Sequence, residues 1–194
     1  MSDNVVRHHG EVSDTERFEV TGGRGCTVLL TGLSGSGKST LAYAAEKALI
    51  ERGRVAYVLD GDNLRFGLNA DLGFAPEDRA ENVRRVTEVA RLMADAGLVA
   101  LLPLIAPYET DRAAARKRHE EAGTRFFEVF VDTPLEVCEE RDPKGLYARA
   151  RAGEITDMTG VDAPYERPGK PDLVVEGANA SVSVGVEQLI ALVL

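Results

Sequence analysis

The amino-acid sequence predicts an α/β domain whose helices cover both faces of a mostly parallel sheet, and three observations predict it. Short apolar runs alternate with helical stretches from residue 26 onward, the pattern of βαβ units. The runs are nearly continuous in their apolar character, as expected of strands covered on both faces. The first run leads through a glycine-rich turn, Gly32-Leu33-Ser34-Gly35-Ser36-Gly37-Lys38-Ser39, into the first long helical stretch. A length of 194 residues with 44% hydrophobic and 28% charged residues is ordinary for one globular domain and excludes disordered, collagen-like and coiled-coil chains.

Residues 1–25 read as a polar N-terminal tail, mobile over its first dozen residues, and 26–194 as the domain. The strand runs are 26–31, 54–59, 98–105, 126–131 and 173–175. Helical stretches cover about 38–52, 76–96, 110–122 and 134–141, with a last one near 181–193. In 76–96, Val83, Val86, Ala90 and Met93 recur at helical spacing and should face the core. Pro76 and the acidic pair Glu77-Asp78 suit its first turn, and Gly97 follows its end. Right-handed crossovers between parallel strands then put the ligand site beyond the carboxyl ends of the strands. Cys26 and Cys138 have no second cysteine or histidine at ligand spacing and read as core residues. No apolar run approaches the ~20 residues of a membrane span, and residues 1–19 lack the apolar stretch of a secretion signal. The expectation is a soluble, cytoplasmic protein with no membrane partner. A net charge of −9 opposes non-specific attraction to nucleic acid polymers, so any anionic ligand requires locally concentrated positive charge.

The turn Gly32–Ser39 fits G-x-x-x-x-G-K-[ST] and lies between a predicted strand and a predicted helix, the context that motif requires. Glycines let such a loop wrap closely enough for backbone N–H groups to cradle phosphate oxygens, and the helix N-terminus adds positive potential. Lys38 is expected to reach the β- and γ-phosphates, and the Ser39 hydroxyl to ligate Mg²⁺. The alternative is a Gly/Ser-rich turn that matches the pattern by chance. With the motif accepted, the fold class becomes a three-layer P-loop NTPase fold, which leaves NTPase, motor, GTPase and small-molecule kinase open.

The second strand run ends in Asp60-Gly61-Asp62-Asn63-Leu64-Arg65, at the same sheet edge as the loop. Two carboxylates there suit two jobs, one ordering water around Mg²⁺ and one accepting a proton from an attacking hydroxyl. A solvated Asp-Gly turn is the plainer reading. On the stretch 76–96, a step of ~100° per residue puts Arg79 and Asn82 within about 60° of the apolar stripe, at the end nearest the sheet edge. They read as ligand contacts and Arg84 as surface; a cap or salt bridge is the alternative for Arg79. Arg141-Asp142-Pro143-Lys144-Gly145-Leu146-Tyr147, with Arg149 and Arg151 and the Gly/Pro-rich stretch 153–171, forms a cationic cluster in an acidic chain. It is a lid that closes over triphosphate, or else an exposed basic helix.

Together these residues resemble the adenylyl-sulfate kinase family of P-loop kinases over roughly residues 24–176. The resemblance is carried by Gly32 to Thr40, Asp60-Gly61-Asp62-Asn63, Leu72-Gly73-Phe74, Glu81-Asn82-Val83-Arg84-Arg85, Asp142 to Tyr147, Thr159-Gly160 and Pro164-Tyr165-Glu166. It implies a nucleotide-kinase-like fold with a five-stranded sheet, a lid at about 142–168, and a homodimer. The activity it implies is ATP-dependent phosphorylation of the 3′-hydroxyl of adenosine 5′-phosphosulfate, giving 3′-phosphoadenosine 5′-phosphosulfate and ADP, with Mg²⁺. Position by position, the resemblance implies Asp62 and Lys38 as catalytic residues. It implies ATP contacts from Gly32, Ser34, Gly35, Ser36, Gly37, Lys38, Ser39, Thr40, Arg141 and Lys144, and a metal held by Ser39 and Asp60. For the acceptor it implies sulfate or phosphate contacts from Arg65, Arg79 and Asn82, an adenine platform at Phe74, cover from Met158, backbone contacts near Ile105, and Lys144 over both nucleotides.

Three positions depart from that family's pattern. Ala106 stands where a serine is usual; that serine carries phosphate in some relatives, so a phosphoenzyme at this position is excluded and direct transfer is expected. Glu109 stands where an arginine is usual, which either weakens binding of an anionic acceptor or alters a surface pair. Met158 replaces a phenylalanine, and a thioether still covers a purine face, as a less rigid wall. These departures keep in view a kinase of the same fold acting on a different nucleotide or a small alcohol. A non-catalytic ATP-binding regulatory module is the other alternative, opposed by Asp62, an acid for which a pure sensor has little use.

Overall fold

The computed structural model describes residues 4, 6, 8, 10–178 and 180–194. In chain order its elements are α1 (Asp14–Thr21), β1 (Cys26–Thr31), α2 (Lys38–Glu51), β2 (Ala56–Val58), α3 (Gly61–Leu64), α4 (Pro76–Asp95), β3 (Val99–Pro103), α5 (Glu109–Glu121), β4 (Arg125–Asp132), α6 (Leu135–Arg141), α7 (Leu146–Arg151), β5 (Leu173–Glu176) and α8 (Val182–Val193). The strands make a five-stranded sheet in the order β2-β3-β1-β4-β5, every pairing parallel.

The central strand shows why three layers form. Every residue of β1 is buried, because its two faces meet two different cores. Cys26, Val28 and Leu30 pack with Leu41, Ala45 and Leu49 of α2 and Val186, Leu189 and Val193 of α8. Leu29 faces the other way, onto Val83, Val86 and Ala90 of α4 and Ala115 of α5. Burying each valine or leucine among these stabilises the fold by roughly 1.5–3 kcal/mol. The expected core stripe of α4 is the one observed, with Met93 half-buried at its far end. His119 of α5 ties that layer to the sheet. Its ring nitrogens meet Ala115 O and Thr27 Oγ1, both at 2.8 Å, and burial lowers its pKa, so a neutral imidazole sits in the core. Both cysteines are free and buried.

Some elements differ from the sequence reading. The expected tail contains α1, started by a capping box in which Ser13 Oγ accepts from Glu16 N at 3.3 Å and the Glu16 carboxylate accepts from Ser13 N at 2.8 Å. Val55 N donates to Thr21 O at 3.2 Å and Arg54 donates to Arg24 O at 2.6 Å, which ties the end of α1 and the residues after it to the start of β2, away from the carboxyl ends of the strands. Positions 1–3, 5, 7 and 9 of that tail lie outside the described residues. The run 98–105 stops as a strand at Pro103: Leu104 N still donates to Leu30 O at 3.1 Å, but Ala106 adopts φ +43° and turns the chain away. The short helices α3 and α7 are too brief for hydrophobic periodicity to reveal. No described helix is long and apolar enough to cross a membrane.

Candidate active site

A cavity of about 630 Å³ opens at the carboxyl ends of β1, β2 and β3. Every residue predicted for the site lines it except Gly32, which acts through the backbone. At φ +154° a Cβ on Gly32 would lie 2.7 Å from Val131 O, so no other residue lets β1 pass into the loop this way. Gly37, at φ +101°, ends the loop and caps α2 with no side-chain bond, leaving the first amides of α2 for a ligand. The loop is fastened from outside. Thr133 Oγ1 donates to Ser36 O at 2.9 Å, the Tyr147 hydroxyl to Ser34 O at 2.9 Å, and Arg141 to Gly35 O at 3.3 Å. Lys38 donates to Leu33 O at 2.6 Å, and burial pulls its pKa down to about 8.

The two aspartates at the end of β2 occupy different environments. Asp60 is buried; it accepts from Ser39 Oγ at 2.8 Å and, as the N-cap of α3, from Asp62 N at 2.9 Å. The Ser39 hydroxyl beside the Asp60 carboxylate is a set of hard oxygen donors suited to Mg²⁺, which keeps several waters and binds largely through substrate phosphates. Among the described residues there is no cluster of three or more acidic, histidine or cysteine ligands that would suit a protein-caged metal instead. Asp62, on the first turn of α3, projects into the cavity and pairs with Lys144.

Beyond Asp62 the cavity wall is made of side chains that hold one another. Arg65 stacks its guanidinium 4.2 Å from the Phe74 ring centre and donates to Leu72 O at 2.9 Å and Gly73 O at 3.1 Å. Phe74 is 62% exposed. Arg79 donates from Nε to Phe74 O at 2.8 Å, from Nη1 to Thr159 Oγ1 at 2.7 Å, and from Nη2 to Asp157 O. It is thus a strut between the Phe74 backbone and the segment that carries Met158, and neither of its alternatives as a helix cap or a salt bridge describes it. Asn82 accepts at Oδ1 from Asn69 Nδ2 at 2.9 Å. Met158 is buried, and its turn is held by Asp162, whose carboxylate accepts from Asp157 N at 2.9 Å and Met158 N at 2.6 Å while Asp157 sits at φ +60°. Ile105 is fixed through its carbonyl, which accepts from Thr31 Oγ1.

The cationic cluster splits. Arg141 and Lys144 line the cavity, and Arg141 also donates to Gly177 O at 2.9 Å. Arg149 and Arg151 instead pair with Glu154 and Glu139 at the surface, so for those two the exposed basic helix is the correct description. Tyr147 and Met158 share a small apolar cluster with Cys138 of α6, which packs α7 and the Met158 turn onto that helix. Of the three departures, Ala106 and Met158 line the cavity; Glu109 does not, and its backbone N–H donates to Glu166 Oε2 at 2.6 Å.

Sequence reasoning missed several supporting residues. Arg112 is fully buried and donates to Ala106 O and Glu166 O, each at 2.8 Å, and to the Glu128 carboxylate at 2.7 Å, pinning the left-handed turn at Ala106. The segment after β5 also lines the cavity, at Gly177, Ala178 and Ser181. The rule that ligands sit beyond the carboxyl ends of parallel strands was the available signal for that segment. No signal in one sequence marks a buried arginine on a charged helix.

Comparison with known proteins gives a consistent result. The family model for adenylylsulphate kinase matches residues 24–176. The chain is 51% identical over 189 residues to the adenylyl-sulfate kinase of Lactiplantibacillus plantarum, covering 97% of this chain and 90% of that protein. It is 60% identical over 172 residues to the bifunctional enzyme CysN/CysC of Mycobacterium tuberculosis, covering 89% of this chain but only 27% of that longer protein. Among solved structures, the Mycobacterium tuberculosis APS kinase CysC in complex with AMPPNP and APS is similar at a TM-score of 0.85 and 59% identity, over 87% of this chain and 97% of that one. With the phosphate-binding loop, the paired aspartates and the Arg65–Phe74–Arg79–Asn82 wall in one cleft, the chain belongs to the adenylylsulphate kinase family.

Proposed function

We propose that this protein transfers the γ-phosphoryl group of ATP to the 3′-hydroxyl of adenosine 5′-phosphosulfate. One observation carries the reading: a single cleft joins a phosphate-binding loop to an aromatic and cationic wall, with Asp62 between them. Its support from outside is the 59% identical relative solved with an ATP analogue and APS.

In this reading Lys38, Arg141 and the loop amides hold the triphosphate, with the Ser39 hydroxyl and Asp60 carboxylate as the oxygen donors for Mg²⁺, which supplies charge neutralisation at the β- and γ-phosphates. Phe74 and Met158 hold the acceptor's adenine, and Arg65 and Asn82 its anionic end. Asp62 accepts the 3′-hydroxyl proton as the oxygen bonds to the γ-phosphorus and the bond to the β–γ bridging oxygen breaks, releasing ADP. Lys144, already paired with Asp62, lies where it neutralises charge on either nucleotide. Alignment and electrostatics supply most of the acceleration, because the transition state of phosphoryl transfer is loose. Ala106 carries no hydroxyl, so no phosphoenzyme forms at this position, and direct transfer needs none.

The proposed setting is the cytoplasm, in keeping with an ATP-dependent reaction and two free cysteines. The proposed assembly is a homodimer, for which exposed Tyr43 and Ile50 of α2 and Tyr57 of edge strand β2 are a fitting surface. Light scattering at twice the 20.9 kDa chain mass supports the dimer, and the single mass removes it. The activity itself is tested by ADP release with MgATP and adenosine 5′-phosphosulfate, beside adenosine 5′-monophosphate and a no-acceptor control. Release that depends on the phosphosulfate is expected. Intact ATP binding with release only on another acceptor would assign the cleft, through Ala106 and Met158, to a different alcohol.

A further inference from the structure

Asn69 lies in the turns that follow α3, completely buried and outside the cavity wall. Its backbone is held on both sides, N–H to Leu64 O at 3.0 Å and carbonyl from Leu72 N at 3.2 Å, so the turn does not need the side chain to close. The side-chain amide donates from Nδ2 to Asn82 Oδ1 at 2.9 Å, while its own Oδ1 is buried without a partner among the described residues. An orphaned buried acceptor is unfavourable, and a leucine of similar size would not carry it. Among the described residues, the one polar contact this side chain makes is to a residue that lines the cleft.

We infer that Asn69 is a positioning residue that sets which end of the Asn82 amide meets the acceptor. An amide has a donor end and an acceptor end of nearly equal size, and packing alone does not distinguish them. With Asn82 Oδ1 taken by Asn69, the end left for a ligand is Nδ2, a donor. Beside Arg65 that makes a second donor at the wall, which suits an anionic phosphosulfate; the reversed amide would turn an oxygen lone pair toward it. This inference rests on the acceptor assigned under Proposed function.

The test is a double-mutant cycle read by calorimetric titration of adenosine 5′-phosphosulfate into the AMPPNP-bound protein, with KM and kcat alongside. Asn69→Leu frees the Asn82 amide, and acceptor Kd is expected to rise about tenfold, with ATP KM and kcat within about twofold. Asn69→Asp keeps the shape, so it keeps folding in reach, but offers only an acceptor that turns Asn82 Nδ2 inward; a larger loss of affinity is expected. In the Asn82→Ala background both Asn69 variants are expected to bind the acceptor as Asn82→Ala alone does. Losses that persist undiminished in that background, from packing or from the new carboxylate's charge, overturn the inference alone. A wild-type protein that binds ATP but not the phosphosulfate overturns the proposed acceptor, and this inference with it.

Discussion

At the proposed donor end of the cleft, the cavity-lining groups come largely from one contiguous loop, Gly32–Ser39, whereas the proposed acceptor end gathers Arg65, Phe74, Arg79, Asn82 and Met158 from three separate segments. The donor loop takes its shape from glycine backbone and is clasped by Thr133, Tyr147 and Arg141. The acceptor wall takes its shape from side chains bonded to one another: Arg65 on Phe74, Arg79 across to Thr159, Asn69 on Asn82, Asp162 under Met158. A backbone site recognises what every nucleoside triphosphate shares. A side-chain site is where one acceptor is told from another, and where single substitutions separate affinity for the acceptor from affinity for ATP.

The largest effect is expected where the two halves meet. Asp62→Asn should lower kcat by about 10²- to 10⁴-fold, the usual worth of general-base assistance, with both substrate affinities held within a fewfold. Near-normal kcat in steady-state kinetics would remove Asp62 from the chemistry. Next, Arg79→Ala loses its bonds to the Phe74 carbonyl, Thr159 and Asp157, and the acceptor KM should rise by about 10- to 100-fold while ATP KM stays within about twofold. Equal losses for both substrates would erase the division between the halves.

A smaller effect separates them by pH. Burial brings Lys38 to about 8, and phosphate oxygens pair only with its protonated form, so ATP affinity should weaken as the pH rises through that value, by up to about tenfold per pH unit. Titration calorimetry between pH 7 and 9.5 reads this directly, and flat ATP affinity across that window would contradict it. The smallest effect is expected outside the cleft: Arg149→Ala and Arg151→Ala remove only surface ion pairs, and thermal unfolding and kinetics should show an almost unchanged Tm and unaltered KM for either substrate.

Legibility in the sequence follows the same division. The strands and long helices could be read because continuous apolar runs and helical periodicity are consequences of a sheet covered on both faces. The donor loop could be read because its geometry demands glycine at fixed spacing. Arg79 and Asn82 were visible as polar residues beside an apolar stripe, but not what they hold: Arg79 as a strut to Thr159 and Asn82 as the partner of Asn69 depend on segments distant in the chain. Helix α1 was announced by Ser13 and Glu16 at capping-box spacing, a signal outweighed by the polarity of its surroundings. Arg149 and Arg151 read as lid cations because composition carries charge but not direction.

In the proposed reaction Asp62 stands between a bound triphosphate and a 3′-hydroxyl, and phosphorus NMR of the product formed from MgATP and adenosine 5′-phosphosulfate shows which oxygen receives the phosphoryl group. A new phosphomonoester resonance coupled to the ribose 3′ position, with the phosphosulfate intact, is the predicted result. Phosphate appearing at another position, or free phosphate with the acceptor unchanged, would contradict it.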